Sequence, residues 1–179
     1  MRGRSTFGLG IAALALLAPV LLSGAVGAQS EPHVVAGDAI AAGRFLVNYG
    51  GCNDCHTPGF MAADGQIPEA ARLTGNPVGF QGPWGTSYAI NLRLFFTKVP
   101  EQRWIAVVRK PPFVVHPPMP WRNLQALSDA DLHAIYAYVN SLGNVGGPVH
   151  DFIPPGGTVT SAVIRMTPVT PEPSPRSGA

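Results

Sequence analysis

Three stretches of this chain carry the three- and four-residue apolar spacing of a helix, and long stretches between them carry none. Ala39, Ala42, Phe45, Leu46 and Tyr49 fall on one stripe, with Asp38 placed to cap its start and Gly50-Gly51 to stop it. A shorter stripe runs through Trp104, Ile105 and Val108. Pro100 opens it, because a missing N–H costs nothing in a first turn, and Pro111-Pro112 closes it. In the third, Ser128 with Asp131 resembles a capping box, Leu132, Ile135, Tyr136, Val139 and Leu142 form the stripe, and Gly143 ends it.

The intervening segments read differently. Asn53 to Leu92 is broken by Pro58, Pro68, Pro77, Pro83 and repeated glycines, which excludes long helices and predicts an extended wrapping loop. Phe113 to Pro120 holds Pro117, Pro118 and Pro120, a rigid non-helical strap around Met119. Beyond Gly143 the chain turns to Gly, Pro, Ser and Thr, which predicts a partly disordered tail over 144–179, with Phe152, Ile153, Val163 and Ile164 able to tack its first half to the domain. There is no internal repeat. The expected fold class is all-α, about three main helices joined by long Gly/Pro-rich loops.

The amino terminus has its own pattern. Arg2 and Arg4 precede an apolar run from Phe7 to Leu22, and Val26-Gly27-Ala28 offers small residues to a signal peptidase. The run is shorter than the roughly 20 residues of a spanning helix and is interrupted by Pro19, so a leader over 1–28, cleaved after Ala28, is expected rather than an anchor. A linker, 29–37, then leads to one domain over 38–143. Export places the mature chain in the periplasm.

Only 12% of the 179 residues are charged, while 21 Gly and 19 Pro fix the loop-rich character. Twelve Lys and Arg face ten Asp and Glu, and losing Arg2 and Arg4 with the leader makes the mature chain neutral. Nucleic acid is therefore not an expected partner. The cations are nonetheless gathered, with Arg93, Lys98, Arg103, Arg109, Lys110 and Arg122 against Glu101 alone in that stretch.

The two cysteines both lie in Cys52-Asn53-Asp54-Cys55-His56, the C-x-x-C-H spacing of c-type haem attachment. Each thiol adds to one haem vinyl group, and the turn that carries them sets the next imidazole beneath the iron, making His56 the proximal ligand. Covalent attachment suits an exported protein, whose cofactor cannot then diffuse away. A disulfide or thioredoxin-like pair lacks its preceding βαβ pattern here, and zinc would be one ligand short.

With these residues in view, Asp38 to Gly143 resembles a class I c-type cytochrome: a helix running into C-x-x-C-H, a methionine loop and a capped last helix. Gly82 to Asn91, then Met119-Pro120-Trp121 and Ser128 to Leu132, look like one module of the cytochrome subunits that serve periplasmic dehydrogenases. Those subunits usually carry several modules, and this chain carries one. The resemblance implies Met119 as the sixth ligand, ahead of Met61 and Met166. His116, three residues earlier on the same strap, is the competing ligand. It also implies that Trp84, Tyr88, Asn91, Arg93 and Trp121 close the haem pocket, the segment from Trp84 to Arg93 on the propionate side. His33, His133 and His150 are assigned no role.

A six-coordinate His/Met haem has no open position for substrate, so the expected function is single-electron transfer rather than enzymatic turnover. The expected partners are redox proteins, a dehydrogenase as donor and an oxidase or other acceptor, with peripheral association with a membrane-bound complex also in keeping. The alternatives are a haem subunit of a periplasmic dehydrogenase and a ligand-binding haem enzyme or sensor.

Overall fold

The computed structural model describes residues 31–168, so the leader expected over 1–28 and the end of the tail, 169–179, lie outside the described residues. The first helix, α1, spans Ala39–Tyr49, and Asp38 caps it by accepting a hydrogen bond from the Ala41 N–H at 2.7 Å. Gly50 ends it. Gly51, at φ 68°, then takes a left-handed conformation that lets the chain turn directly into α2, Cys52–His56. The long segment that follows contains a 3₁₀ turn, Glu69–Ala71, and two short strands, β1 (Gly79–Gly82) and β2 (Gly85–Ser87). Four helices come next: α3 (Leu92–Lys98), α4 (Glu101–Arg109), α5 (Trp121–Gln125) and α6 (Asp129–Ser141). Strand β3, Val163–Arg165, is drawn from the tail.

The expected all-α class is therefore corrected. The described residues form six α-helices and a three-stranded mixed sheet, 38% helix and 8% strand. The sheet order is β2-β1-β3, with Phe80 opposite Ser87 in the antiparallel pair and opposite Ile164 in the parallel one. The glycine-rich segment read as a loop pairs its own backbone across the turn at Pro83 and Trp84. Two β-branched residues, Val163 and Ile164, then satisfy the other edge of β1. The described part of the tail thus belongs to the same compact unit as the helices.

The core is the α1–α6 crossing, where Ala42, Leu46 and Val47 meet Leu132, Ala134, Ile135, Tyr138 and Val139. A Cβ at Gly43 would overlap the carbonyl oxygen of Ala134, so glycine sets how closely the two helices approach. That approach turns α1 so that Phe45 and Tyr49, expected in the stripe, are 53% and 83% exposed and stack on each other at 5.6 Å. Phe96 of α3 meets Trp104 of α4 edge to face at 5.0 Å, which seals the other side of α6. At the start of α6 the capping box forms as the sequence suggests: Ser128 Oγ accepts from the Asp131 N–H and donates to Asp131 Oδ2. The other Asp131 oxygen accepts from the Val34 N–H at 2.8 Å, tying down the segment before α1.

Candidate functional site

The site begins where α1 ends. One turn of helix carries Cys52, Cys55 and His56, and residues three apart lie on the same side of such a turn. Both cysteines are free thiols and half-buried. Burial pushes the Cys52 thiol up to about 11, and burial followed by the nearby Asp54 carboxylate also raises that of Cys55. Neutral thiols at ordinary pH are unlike the activated thiolate of a disulfide oxidoreductase. Among the described residues, no three His, Cys, Asp or Glu side chains gather as the cage of a metal ion.

His56 is 7% exposed, and its Nδ1 lies 2.7 Å from the carbonyl oxygen of Ile90. A carbonyl can only accept, so Nδ1 carries the proton and Nε2 keeps its lone pair. Burial lowers the His56 pKa, more than the Ile90 carbonyl raises it, and this favours the neutral ring. The turn itself is pinned from three directions. The His56 carbonyl accepts from the Gly75 N–H at 2.8 Å, and Thr57 Oγ1 accepts from the Leu73 N–H at 2.8 Å while donating to Asn53 Oδ1. Asn53 Nδ2 in turn donates to Asn48 on α1. The loop expected to wrap the site thus grips it through backbone hydrogen bonds.

Met119 is half-buried on the strap, whereas Met61 is 61% and Met166 43% exposed. Ser87 at the end of β2 donates its hydroxyl to the Pro117 carbonyl at 2.5 Å, fixing the strap two residues before Met119. His116 lies flat on Phe152 of the tail, with ring centroids 3.8 Å apart and planes within 4°.

The remaining expected pocket residues divide. Trp84 sits in the β1–β2 turn with its Nε1 buried and without a hydrogen-bond partner among the described residues. Tyr88 shares a hydrogen bond with Ser161 Oγ at 2.7 Å, and its ring tilts against His150. Asn91 caps α3 by accepting from the Leu94 N–H and donates to the carbonyls of Val145 and Gly147. Arg93 is buried and donates to the carbonyls of Ala70, Leu142 and Gly143, so its charge faces the carboxyl end of α6. Trp121 donates to the Val108 carbonyl at 3.2 Å and meets Phe113 edge to face. Asn91, Arg93 and Trp121 thus spend donors on the protein's own backbone. His33 and His133 bond to Glu31 and Glu101 at the surface.

These residues fit a covalently held haem in three respects: two uncrosslinked thiols on one turn, an adjacent neutral imidazole with one nitrogen spoken for, and an orphaned indole donor in the segment assigned to the propionates. The Ile90 carbonyl and the Thr57 clamp were not foreseen, since their backbone partners, a carbonyl in the one case and the Leu73 N–H in the other, have no sequence signature. Comparisons of the chain with protein-family models, with characterised proteins and with solved structures find no match.

Proposed function

We propose that the chain is an exported c-type cytochrome that carries single electrons between redox partners, in which Cys52 and Cys55 would hold one haem covalently and His56 and Met119 would ligate its iron. The observation that carries this reading is the 2.7 Å contact between His56 Nδ1 and the Ile90 carbonyl, beside two free thiols on the same turn. Haem iron supplies one-electron chemistry between its ferric and ferrous states.

The chain's residues do the rest. The Ile90 carbonyl fixes the tautomer and plane of His56 and raises its basicity as a ligand. Met119 offers a soft thioether, which favours the ferrous state and raises the reduction potential. Trp84 Nε1 is free to donate to a propionate, and the apolar core behind Cys52 limits water. Donor and acceptor proteins, a dehydrogenase and an oxidase among the candidates, belong to the same proposal, as does a periplasmic location.

The test is mass spectrometry and absorption spectroscopy of the chain matured in a periplasm. Covalent haem is expected on the parent protein, with a methionine-to-iron charge-transfer band in the ferric state and no CO binding in the ferrous state. Cys52→Ala and Cys55→Ala together abolish the covalent adduct, and His56→Ala abolishes the low-spin spectrum. A parent chain without covalent haem would end this reading, and ready CO binding would turn it towards a ligand-binding haem protein.

A further inference from the structure

The strap from Phe113 to Pro120 carries two side chains able to ligate iron, Met119 and His116, and their positions in the sequence do not choose between them. The tertiary structure treats them differently. His116 is held face to face by Phe152, at 3.8 Å between centroids and 4° between planes, an arrangement in which the ring cannot turn edge-on without first leaving its partner. Phe152 is itself located by its neighbour: Ile153 exchanges both backbone hydrogen bonds with Thr86, at 2.7 and 2.9 Å. The next residue of β2, Ser87, donates to the carbonyl of Pro117, the residue after His116. Thr86 therefore anchors the tail and Ser87 anchors the strap. The His116–Phe152 stack closes the triangle between them.

Resting on the haem reading of Cys52 to His56, we infer that Phe152 is a positioning residue that selects the axial ligand. By holding the His116 ring flat against the tail, it withholds the imidazole from the iron and leaves Met119 as the available donor. This assigns the Gly/Pro-rich segment after α6 a role in setting the redox potential. It also explains why an exposed phenylalanine, with 39% of its surface open, sits over a histidine on this strap rather than packing into the core.

The test uses the full-length matured protein in five forms: parent, Phe152→Ala, Phe152→Leu, and each Phe152 variant combined with His116→Ala. The leucine variant keeps most of the volume without the aromatic face, and so separates stacking from simple filling. Release of His116 is expected to abolish the methionine charge-transfer band, give the magnetic-resonance signature of bis-imidazole haem and lower the midpoint potential. Adding His116→Ala is expected to restore the band and the parent potential, which a merely structural role of Phe152 would not do. Retention of the band at an unchanged potential in both Phe152 variants would overturn the inference. So would loss of the band that His116→Ala does not reverse, since Phe152 would then be bracing the strap as a whole. A parent protein lacking covalent haem would remove the haem reading itself, and that is read first, on the parent alone.

Discussion

The Nε of Arg93 lies 2.6 Å from the carbonyl oxygen of Gly143, and the same guanidinium also reaches the carbonyls of Leu142 and Ala70. One buried side chain therefore ties α3, the carboxyl end of α6 and the 3₁₀ turn together. Its positive charge is compensated by helix-end carbonyls, with no carboxylate paired to it among the described residues. Burial lowers its pKa accordingly.

Arg93→Ala leaves those carbonyls without a donor and is expected to destabilise the fold by about 2–4 kcal/mol. Arg93→Lys, which cannot span three acceptors, recovers only part of this. Urea unfolding of the three proteins checks it. A loss below about 0.5 kcal/mol for the alanine variant would mean that water replaces the guanidinium freely.

On the proposed haem reading, Met119→His is expected to keep the covalent haem and lower the midpoint potential, because imidazole favours the ferric state where a thioether favours the ferrous one. His116→Ala in the otherwise unchanged protein is expected to leave potential and spectrum as they are, its ring being stacked on Phe152. Redox titration decides. Equal potentials in the parent and Met119→His would take Met119 out of the coordination sphere.

Glu69 gives a pH-dependent contribution. Arg44 Nε at 2.7 Å and the Tyr138 hydroxyl at 2.8 Å hold its carboxyl below the ordinary value of 4.5. A depressed carboxyl stabilises the fold above the unfolded value, and the contribution is lost as pH falls through the folded one. Since the pair is more than a third exposed, Glu69→Gln is expected to cost only about 0.5–1 kcal/mol at neutral pH and nothing in strong acid. Chemical denaturation at the two pH values checks this, and a cost that does not change with pH would contradict it. Tyr138 responds at the other end: burial and then Glu69 push its hydroxyl up to about 12, so its contribution fades as pH rises above the ordinary value of 10.

The cation cluster is smaller than its sequence suggests. Arg93 is buried, and Arg109 pairs with Asp129 at 2.6 Å while donating to the carbonyls of Gln125 and Leu127. Lys98, Arg103, Lys110 and Arg122 remain exposed, outside any ion pair among the described residues. Charge reversal at Lys98 and Lys110 is expected to slow oxidation of the reduced protein by ferricyanide by roughly 2- to 10-fold at low ionic strength. The difference should shrink as salt passes about 0.1 M, where the screening length is about 10 Å. Arg109→Glu should lower stability instead. Stopped-flow rates that ignore both salt and Lys98/Lys110 reversal would place electron exchange away from this face.

The amino-acid sequence by itself determined α1, α4 and α6, because their caps and stops, Asp38 with Gly50, Pro100 with Pro111, and Ser128 with Gly143, act within a turn or two of the residues that they govern. It also determined the Cys52 to His56 motif, whose chemistry is local. Helices α3 and α5, of seven and five residues, are too short to show a period, and their N-cap positions Asn91 and Pro120 read equally well as loop. The sheet was hidden for a related reason: strands of three or four residues, two of them opening on glycine, are too short to show alternation, and β3 finds its partner across some eighty residues. Only the tertiary structure decided which carbonyl orients His56, that Phe45 and Tyr49 face outward, that Asn91 and Arg93 serve the backbone, and that Phe152 covers His116. The physical reason is common to all four: partners that are backbone groups or distant faces look the same in every sequence, and only the approach of α1 to α6 at Gly43 and the docking of the tail on β1 and β2 choose among them.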